Sequence, residues 1–267
     1  MKVADFSGKW VLVSGASSGL GEEFARQLAH LGANLVLTAR SEQKLRLFAQ
    51  DLAQVNGIQT HVVVADLAEP EGIRGLLSGI DALGVQVCHV INNAGFGSTG
   101  AFSLSEAQAE ARMVRLNCEA VMSITRHFLP GMLARNEGGF LNVASTSGFQ
   151  PTPFMATYGA TKAFVVSFSL ALAEELRGSQ LRVTALCPGP VLTGFQRSAG
   201  IQKSGLMRVA KLDAPRVVRS ALDAYAEGRL LQVPGALNSV QAAAVRFLPR
   251  GVVLRATRWA MESLGRS

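Results

Sequence analysis

The chain has 267 residues, 48% of them hydrophobic, which suits one large α/β domain with a sizeable core. Its 26 basic and 19 acidic side chains leave a net charge of +7, yet no finger, basic aromatic strand or other nucleic-acid signature accompanies that charge, so no nucleic-acid partner is expected. No run of 18 uncharged apolar residues predicts a spanning helix, and the N-terminus lacks a signal-peptide core. Three scattered cysteines (Cys88, Cys118, Cys187) and four histidines give neither a disulfide framework nor metal-ligand spacing; a cytoplasmic protein without a metal is the expectation.

Residues 10–13 read as a strand, followed directly by Gly15-Ala-Ser-Ser-Gly-Leu-Gly21 and a helix to about residue 30. Residues 35–38 form the next strand, and Ser41 caps a helix carrying Lys44, Leu45 and Phe48. A third strand at 62–64 precedes a helix from Pro70 to about residue 83, and a fourth strand covers 89–92. Ser105 is the expected cap of one long helix that runs past Arg126, with Pro130 near its end. Strands at 140–143, 181–186 and 230–233 are separated by helices over 157–177 and 214–228. The strands are nearly continuous apolar runs, as strands buried on both faces require. Their alternation with helices predicts a doubly wound, seven-stranded parallel sheet of the Rossmann type. Residues 1–236 form the expected α/β domain, and 237–267 an apolar, basic helical extension.

The glycine-rich turn after the first strand places a flexible backbone and a helix N-terminus where a pyrophosphate would sit, with Ser14, Ser17 and Ser18 as small donors. Near the end of the second strand, Arg40 suits a ribose 2′-phosphate, and no acid lies within 35–41; NADP(H) is therefore expected over NAD(H). Asn92-Asn93-Ala94-Gly95 follows the fourth strand, at the edge where such a sheet holds its ligand. Tyr158 and Lys162 are four residues apart on a helix, hence on one face, and an ammonium beside a phenol lowers its pKa.

The Gly15-x-x-x-Gly19-x-Gly21 spacing, the Asn-Asn-Ala-Gly tetrapeptide and the Tyr-x-x-x-Lys turn together resemble the short-chain dehydrogenase/reductase family over about residues 8–234, with Ser14 where that family normally has Thr. The resemblance implies a catalytic tetrad of Asn117, Ser145, Tyr158 and Lys162, with Ser145 chosen over nearby Ser147 because it comes first after the strand. Tyr158 would pass a proton to or from the substrate oxygen, Ser145 would bind that oxygen, and Lys162 would lower the phenol pKa and hold the nicotinamide ribose. Asn117 would hold a water that resupplies protons. Cofactor contacts are implied at Gly15, Ser17, Ser18, Gly19, Leu20, Gly21, Arg40, Asp66, Leu67, Asn93, Ala94, Gly95, Pro188, Gly189, Val191 and Thr193, as well as Tyr158 and Lys162.

The loops that form the family's substrate pocket supply Phe96, Phe149, Pro151, Phe154, Met155 and Phe195 here, with Leu206 and Met207 beyond, and the 195–212 loop is a candidate lid. Such a lining prefers an apolar ketone, aldehyde or secondary alcohol. A non-enzymatic NADP(H)-binding regulator and a membrane-associated interaction protein are the competing classes. In the tail, Val240, Ala243, Ala244, Phe247 and Leu248 fit one helix and residues 252–264 a second, with five arginines and one acid from Arg246 onward. Packing on the domain or in a homodimer or homotetramer is expected first, and contact with an anionic membrane second.

Overall fold

A computed structural model describes residues 6–191, 212–245 and 247–265, with side chains described as far as Glu262. The strands are β1 (Trp10–Ser14), β2 (Asn34–Thr38), β3 (Thr60–Val62), β4 (Val87–Asn92), β5 (Gly139–Val143), β6 (Arg182–Leu186) and β7 (Leu231–Gln232). They form one seven-stranded sheet in the order β3-β2-β1-β4-β5-β6-β7, parallel throughout. The expected doubly wound fold is the observed one. The order reverses between β1 and β4, which opens a crevice at their carboxyl ends.

The continuous apolar strands follow from burial on both faces. Val11, Val13, Leu35 and Leu37 enter one core cluster, whereas Leu12 and Val36 point the other way into a second. The first is covered by α1 (Gly19–His30), α2 (Glu42–Asn56) and α7 (Ala214–Ala226), which supply Phe24, Leu28, Leu45, Leu52, Val217 and Tyr225. The second is covered by α3 (Pro70–Ala82), α5 (Ala120–Arg135) and α6 (Ala156–Glu175), through Ile73, Leu76, Ile80, Ile124 and Leu172. Cutting any one of these fully buried leucines to alanine costs about 2–5 kcal/mol.

Several boundaries differ from expectation. β3 lies at Thr60–Val62 rather than 62–64 and is only half-buried, as befits an edge strand. Ser41 stands at the N-cap of α2 but makes no side-chain cap bond. The single long helix expected from Ser105 is not formed. Ser105 closes a short turn over Phe102–Leu104 by donating its hydroxyl to the Phe102 carbonyl at 2.9 Å. α4 (Ala107–Val114) then runs into a π turn, Arg115–Glu119, before α5 begins.

α6 is long and apolar enough by composition to cross a membrane, but here it is a core helix that buries Tyr158, Thr161, Lys162, Val165, Val166, Ser169 and Leu172. A buried polar chain fixes it to the sheet. Asn92 donates to Asn142 (2.8 Å), Asn142 donates to Ser169 (2.9 Å), and Ser169 donates to the Val165 carbonyl (2.7 Å). The tail forms α8 (Ala236–Ala244) and α9 (Arg250–Gly265). Asn238 anchors α8: its amide donates to the Pro234 carbonyl at 2.9 Å, and a Cβ on Gly189 would meet it at 2.6 Å. α9 turns Val253 and Thr257 inward.

Candidate functional site

The carboxyl ends of β1 and β4 are stapled together. The Ser14 hydroxyl accepts the backbone N–H groups of Asn93 and Ala94, both at 3.0 Å, and donates to the Ile91 carbonyl at 3.3 Å. The Asn93 amide donates to the Ser14 carbonyl at 2.9 Å. The hydroxyl at position 14 is thus a structural link between two strands. Gly15 has φ +66°, and a Cβ there would lie 2.9 Å from the Asn93 amide nitrogen, so the turn admits only glycine. Gly21 departs from expectation. It does not line the crevice; a Cβ there would fall 2.2 Å from the Gly15 carbonyl, so its task is to let α1 close onto the turn.

Beyond this turn lies a cleft of about 910 Å³. Gly15, Ser17, Ser18, Gly19, Leu20, Arg40, Asp66, Leu67, Asn93, Ala94, Gly95, Ser145, Tyr158, Lys162, Pro188, Gly189 and Val191 all line it. Arg40 is exposed at its edge, with no ion-pair partner among the described residues. The Thr38 hydroxyl is buried in the wall and has no partner among the described residues. Asp66 is held from two sides: one oxygen accepts the Ala68 N–H at 3.0 Å, and the other receives Arg112 at 2.9 Å. Arg112 also pairs with Glu69 and lines the cleft, a role its position in the sequence gave no sign of.

At the other end, β5 delivers Ser145. Its hydroxyl accepts the Ser147 N–H at 3.1 Å and hydrogen-bonds the Tyr158 phenol. Ser147 also lines the cleft, but Ser145 is the serine bonded to the phenol. Lys162 donates to the Val143 carbonyl at 2.8 Å, with its ammonium 5.8 Å from the centre of the Tyr158 ring. The expected depression of the phenol pKa does not hold for this arrangement. Burial pushes Tyr158 up to about 12, opposed only by the Ser145 hydrogen bond. Burial pushes Lys162 down to about 8, opposed by the neighbouring Cys118 and Cys187. Both groups are buried in the cleft wall, and burial disfavours their charged forms.

Asn117, in the π turn, is buried but does not line the cleft. Its amide donates to the Phe96 carbonyl (2.9 Å) and to the Thr161 hydroxyl (3.0 Å), and its oxygen accepts the Phe96 N–H (3.2 Å). It therefore joins the loop after β4 to the catalytic helix. That loop approaches by its glycines: a Cβ on Gly95 would lie 3.3 Å from the Lys162 ammonium, and one on Gly97 would lie 2.8 Å from the Tyr158 ring.

The apolar wall differs in part from expectation. Phe96 and Met155 line the cleft. They pack with Met113, Tyr158 and Met261 in one cluster. Phe149 instead packs against a core cluster of Val121, Ala144, Val165 and Cys187. Phe154 is outside the cleft as well; at φ +63° it turns its carbonyl to the Gly100 N–H at 2.9 Å. Pro151 is exposed and does not line the cleft. Thr193, Phe195, Leu206, Met207 and the expected lid as far as residue 211 lie outside the described residues. Thr257, Ala260 and Met261 of α9 complete the wall; the helical period of the tail was readable, its place over Tyr158 was not.

Comparison with known proteins adds the family. The family profile described as short chain dehydrogenase matches residues 9–204. The very-long-chain 3-oxoacyl-CoA reductase of Anas platyrhynchos is 35% identical over 199 residues, 71% of this chain and 62% of that protein. The protein of the same name from Pyricularia oryzae is 39% identical over 184 residues, 66% of this chain and 54% of that protein. The chain thus spans somewhat more than half the length of these relatives. Among solved structures, a short-chain dehydrogenase from Sphingobium yanoikuyae in complex with NADPH is 30% identical, with a TM-score of 0.81 over 91% of this chain and 94% of that one. A bulky-bulky ketone specific alcohol dehydrogenase from Comamonas testosteroni is 28% identical, with a TM-score of 0.76 over 89% of this chain and 92% of that one. The profile match takes in both the glycine turn and the Tyr158–Lys162 turn, and the chain belongs to the short-chain dehydrogenase/reductase family of oxidoreductases.

Proposed function

We propose that this chain is an NADP(H)-dependent oxidoreductase that reduces a ketone or aldehyde carried on an apolar skeleton, or oxidises the corresponding secondary alcohol. The observation that carries this reading is the position of the Tyr158 phenol. It is hydrogen-bonded to Ser145 and stands between a cleft edged by Arg40 and a wall of Phe96, Met155 and Met261.

The cleft fits a dinucleotide. Gly15, Ser17, Ser18, Gly19 and Leu20 would hold the pyrophosphate at the start of α1, Arg40 the 2′-phosphate, and Asp66 and Leu67 the adenine. Asn93, Ala94, Gly95, Pro188, Gly189 and Val191 would enclose the nicotinamide half, with Thr193 as a further contact. NADPH bound there supplies a hydride for the carbonyl carbon. In the reductive direction, Tyr158 gives its proton to the carbonyl oxygen as negative charge develops, and Ser145 donates a hydrogen bond to the same oxygen. A phenol whose pKa lies near 12 keeps its proton at neutral pH until that moment. Lys162, whose pKa lies near 8, is suited to return a proton to the phenolate. Both amide hydrogens of Asn117 are committed to Phe96 and Thr161, so a relay water would bind at its backbone carbonyl or at the remaining acceptor position of its side chain.

The relatives named as 3-oxoacyl-CoA reductases make a long-chain 3-oxoacyl thioester the first substrate class to try, and the Comamonas neighbour adds bulky ketones. A homodimer or homotetramer in the cytoplasm is part of the reading; Val114, Met122 and Leu133, along α4 and α5, are exposed apolar side chains suited to a contact between copies. The test is a carbonyl and alcohol panel assayed with NADPH and NADH in parallel. Reduction of long-chain 3-oxo substrates with NADPH, lost about 10²- to 10⁴-fold in Tyr158→Phe, is the expected result. NADPH binding without turnover of any substrate would favour the regulator instead.

A further inference from the structure

We infer that the outward face of the C-terminal helix pair seats this protein on an anionic lipid surface. No Asp or Glu stands between Glu227 and Glu262, a stretch that holds five arginines: Arg229, Arg246, Arg250, Arg255 and Arg258. α8 turns Asn238 inward and leaves Leu237, Val240 and Ala244 exposed along one stripe. In the turn between the helices, Phe247 is 88% exposed, with Leu248 beside it. α9 turns Val253 and Thr257 inward and exposes Val252 and Trp259, the latter at 67%. Val252, Arg255 and Trp259 follow an i, i+3, i+7 spacing, so a guanidinium lies between two apolar side chains on one stripe. Arg258 is engaged by Glu262 at 2.8 Å, whereas exposed Arg250 and Arg255 have no ion-pair partner among the described residues.

Large exposed aromatics beside unneutralised arginines match the boundary between acyl chains and anionic headgroups. A second copy of the chain fits less well. A two-fold contact through this face would set arginines against arginines, with no acid before Glu262 to separate them. The inner face of α9 walls the cleft through Thr257, Ala260 and Met261, so docking would bring the Tyr158 side of the protein to the lipid. The membrane contact itself does not depend on the proposed reaction.

The test is co-sedimentation of the full chain, without substrate or cofactor, with vesicles of equal parts phosphatidylcholine and phosphatidylglycerol, and with phosphatidylcholine alone. Binding to the anionic vesicles only is expected, falling at least tenfold when salt is raised from about 0.1 M to about 0.5 M. Arg250→Gln and Arg255→Gln should each weaken it about fivefold. In a Trp10→Phe background, Trp259 is the only tryptophan, and its emission should shift to the blue and be quenched by brominated acyl chains. Unchanged far-UV circular dichroism and melting temperature show that the variants fold. Absence of binding to anionic vesicles overturns the proposal. So does salt-insensitive binding that is equal on both vesicles, or an oligomer that falls to monomers in Trp259→Ser, which would show that a second copy covers this face.

Discussion

Lys162 places a measurable burden on the folded protein. Its pKa is pushed down to about 8 by burial, against 10.5 for an ordinary lysine. At pH 7 the side chain is protonated whether the protein is folded or not, and the full difference, about 3 kcal/mol, opposes folding. As pH rises through 8 the folded protein releases the proton while the unfolded chain keeps it until about 10.5, so the cost shrinks to about 1 kcal/mol at pH 10. Lys162→Met keeps the shape of the side chain and removes this titration. It also removes the hydrogen bond to the Val143 carbonyl, a loss of about 1–3 kcal/mol that does not vary with pH. The two effects separate when urea unfolding of both cofactor-free proteins is followed across pH. Wild type should gain about 2 kcal/mol on the variant between pH 7 and pH 10. Other titrating groups cancel in the difference, and Tyr158, Cys118 and Cys187, pushed up to about 12, about 11 and about 12, stay largely protonated throughout. A difference that stays flat with pH would mean that the ammonium is solvated in the folded protein, and the burial cost assigned to it would be wrong.

Arg40→Glu should lower the preference for NADPH over NADH by about 10- to 100-fold, the worth of one charge-assisted hydrogen bond, read as the ratio of kcat/KM for the two cofactors. Better use of NADH than NADPH by the unmodified protein would refute the role given to this arginine. Gly97→Ala places a methyl 2.8 Å from the Tyr158 ring; displacing the phenol should cost at least tenfold in kcat while NADPH affinity, measured by fluorescence titration, stays unchanged. Asn117→Ala leaves the Phe96 N–H and C=O without their side-chain partners and should destabilise the fold by about 2–4 kcal/mol in urea unfolding. Because Phe96 lines the cleft, the same change should also raise KM for the carbonyl substrate.

What could be read from the residues depended on how far apart the partners lie along the chain. Val11, Leu12 and Val13 announce a strand buried on both faces by their own composition, and so do Leu35, Val36 and Leu37. The Gly15 turn was legible for the same local reason, since glycine reaches its φ of +66° without the penalty a side chain incurs. Phe149 and Phe154 show where local reasoning stops. Both follow Ser145 closely, yet a tight turn over Thr146–Phe149 sends one ring into the core, and a positive φ turns the other aside. Arg112 meets Asp66 from 46 residues away, and Met261 reaches Tyr158 from the far end of the chain. No period or spacing encodes contacts of that kind; they exist only once the sheet has set the helices in place.

The π turn at Asn117 joins the local and the distant. It holds one residue more than an α turn, so the side chains after it are rotated by roughly 100° from where an unbroken helix would put them. On a continuous helix, Met113, Asn117, Ala120 and Ile124 would share one stripe and face one neighbour. Here they divide. Met113 packs beside Tyr158, while Ala120, Ile124 and Met132 pack into the core under the sheet. The extra residue lets one helical rod serve the catalytic wall with its first half and the core with its second. Asn117 sits at the change of direction, where its amide can fasten the widened turn to Phe96 and Thr161. A modest helix former in mid-helix is therefore the visible trace of this break. An aliphatic residue at the same place would lose those hydrogen bonds, and with them the reason for the helix to open there.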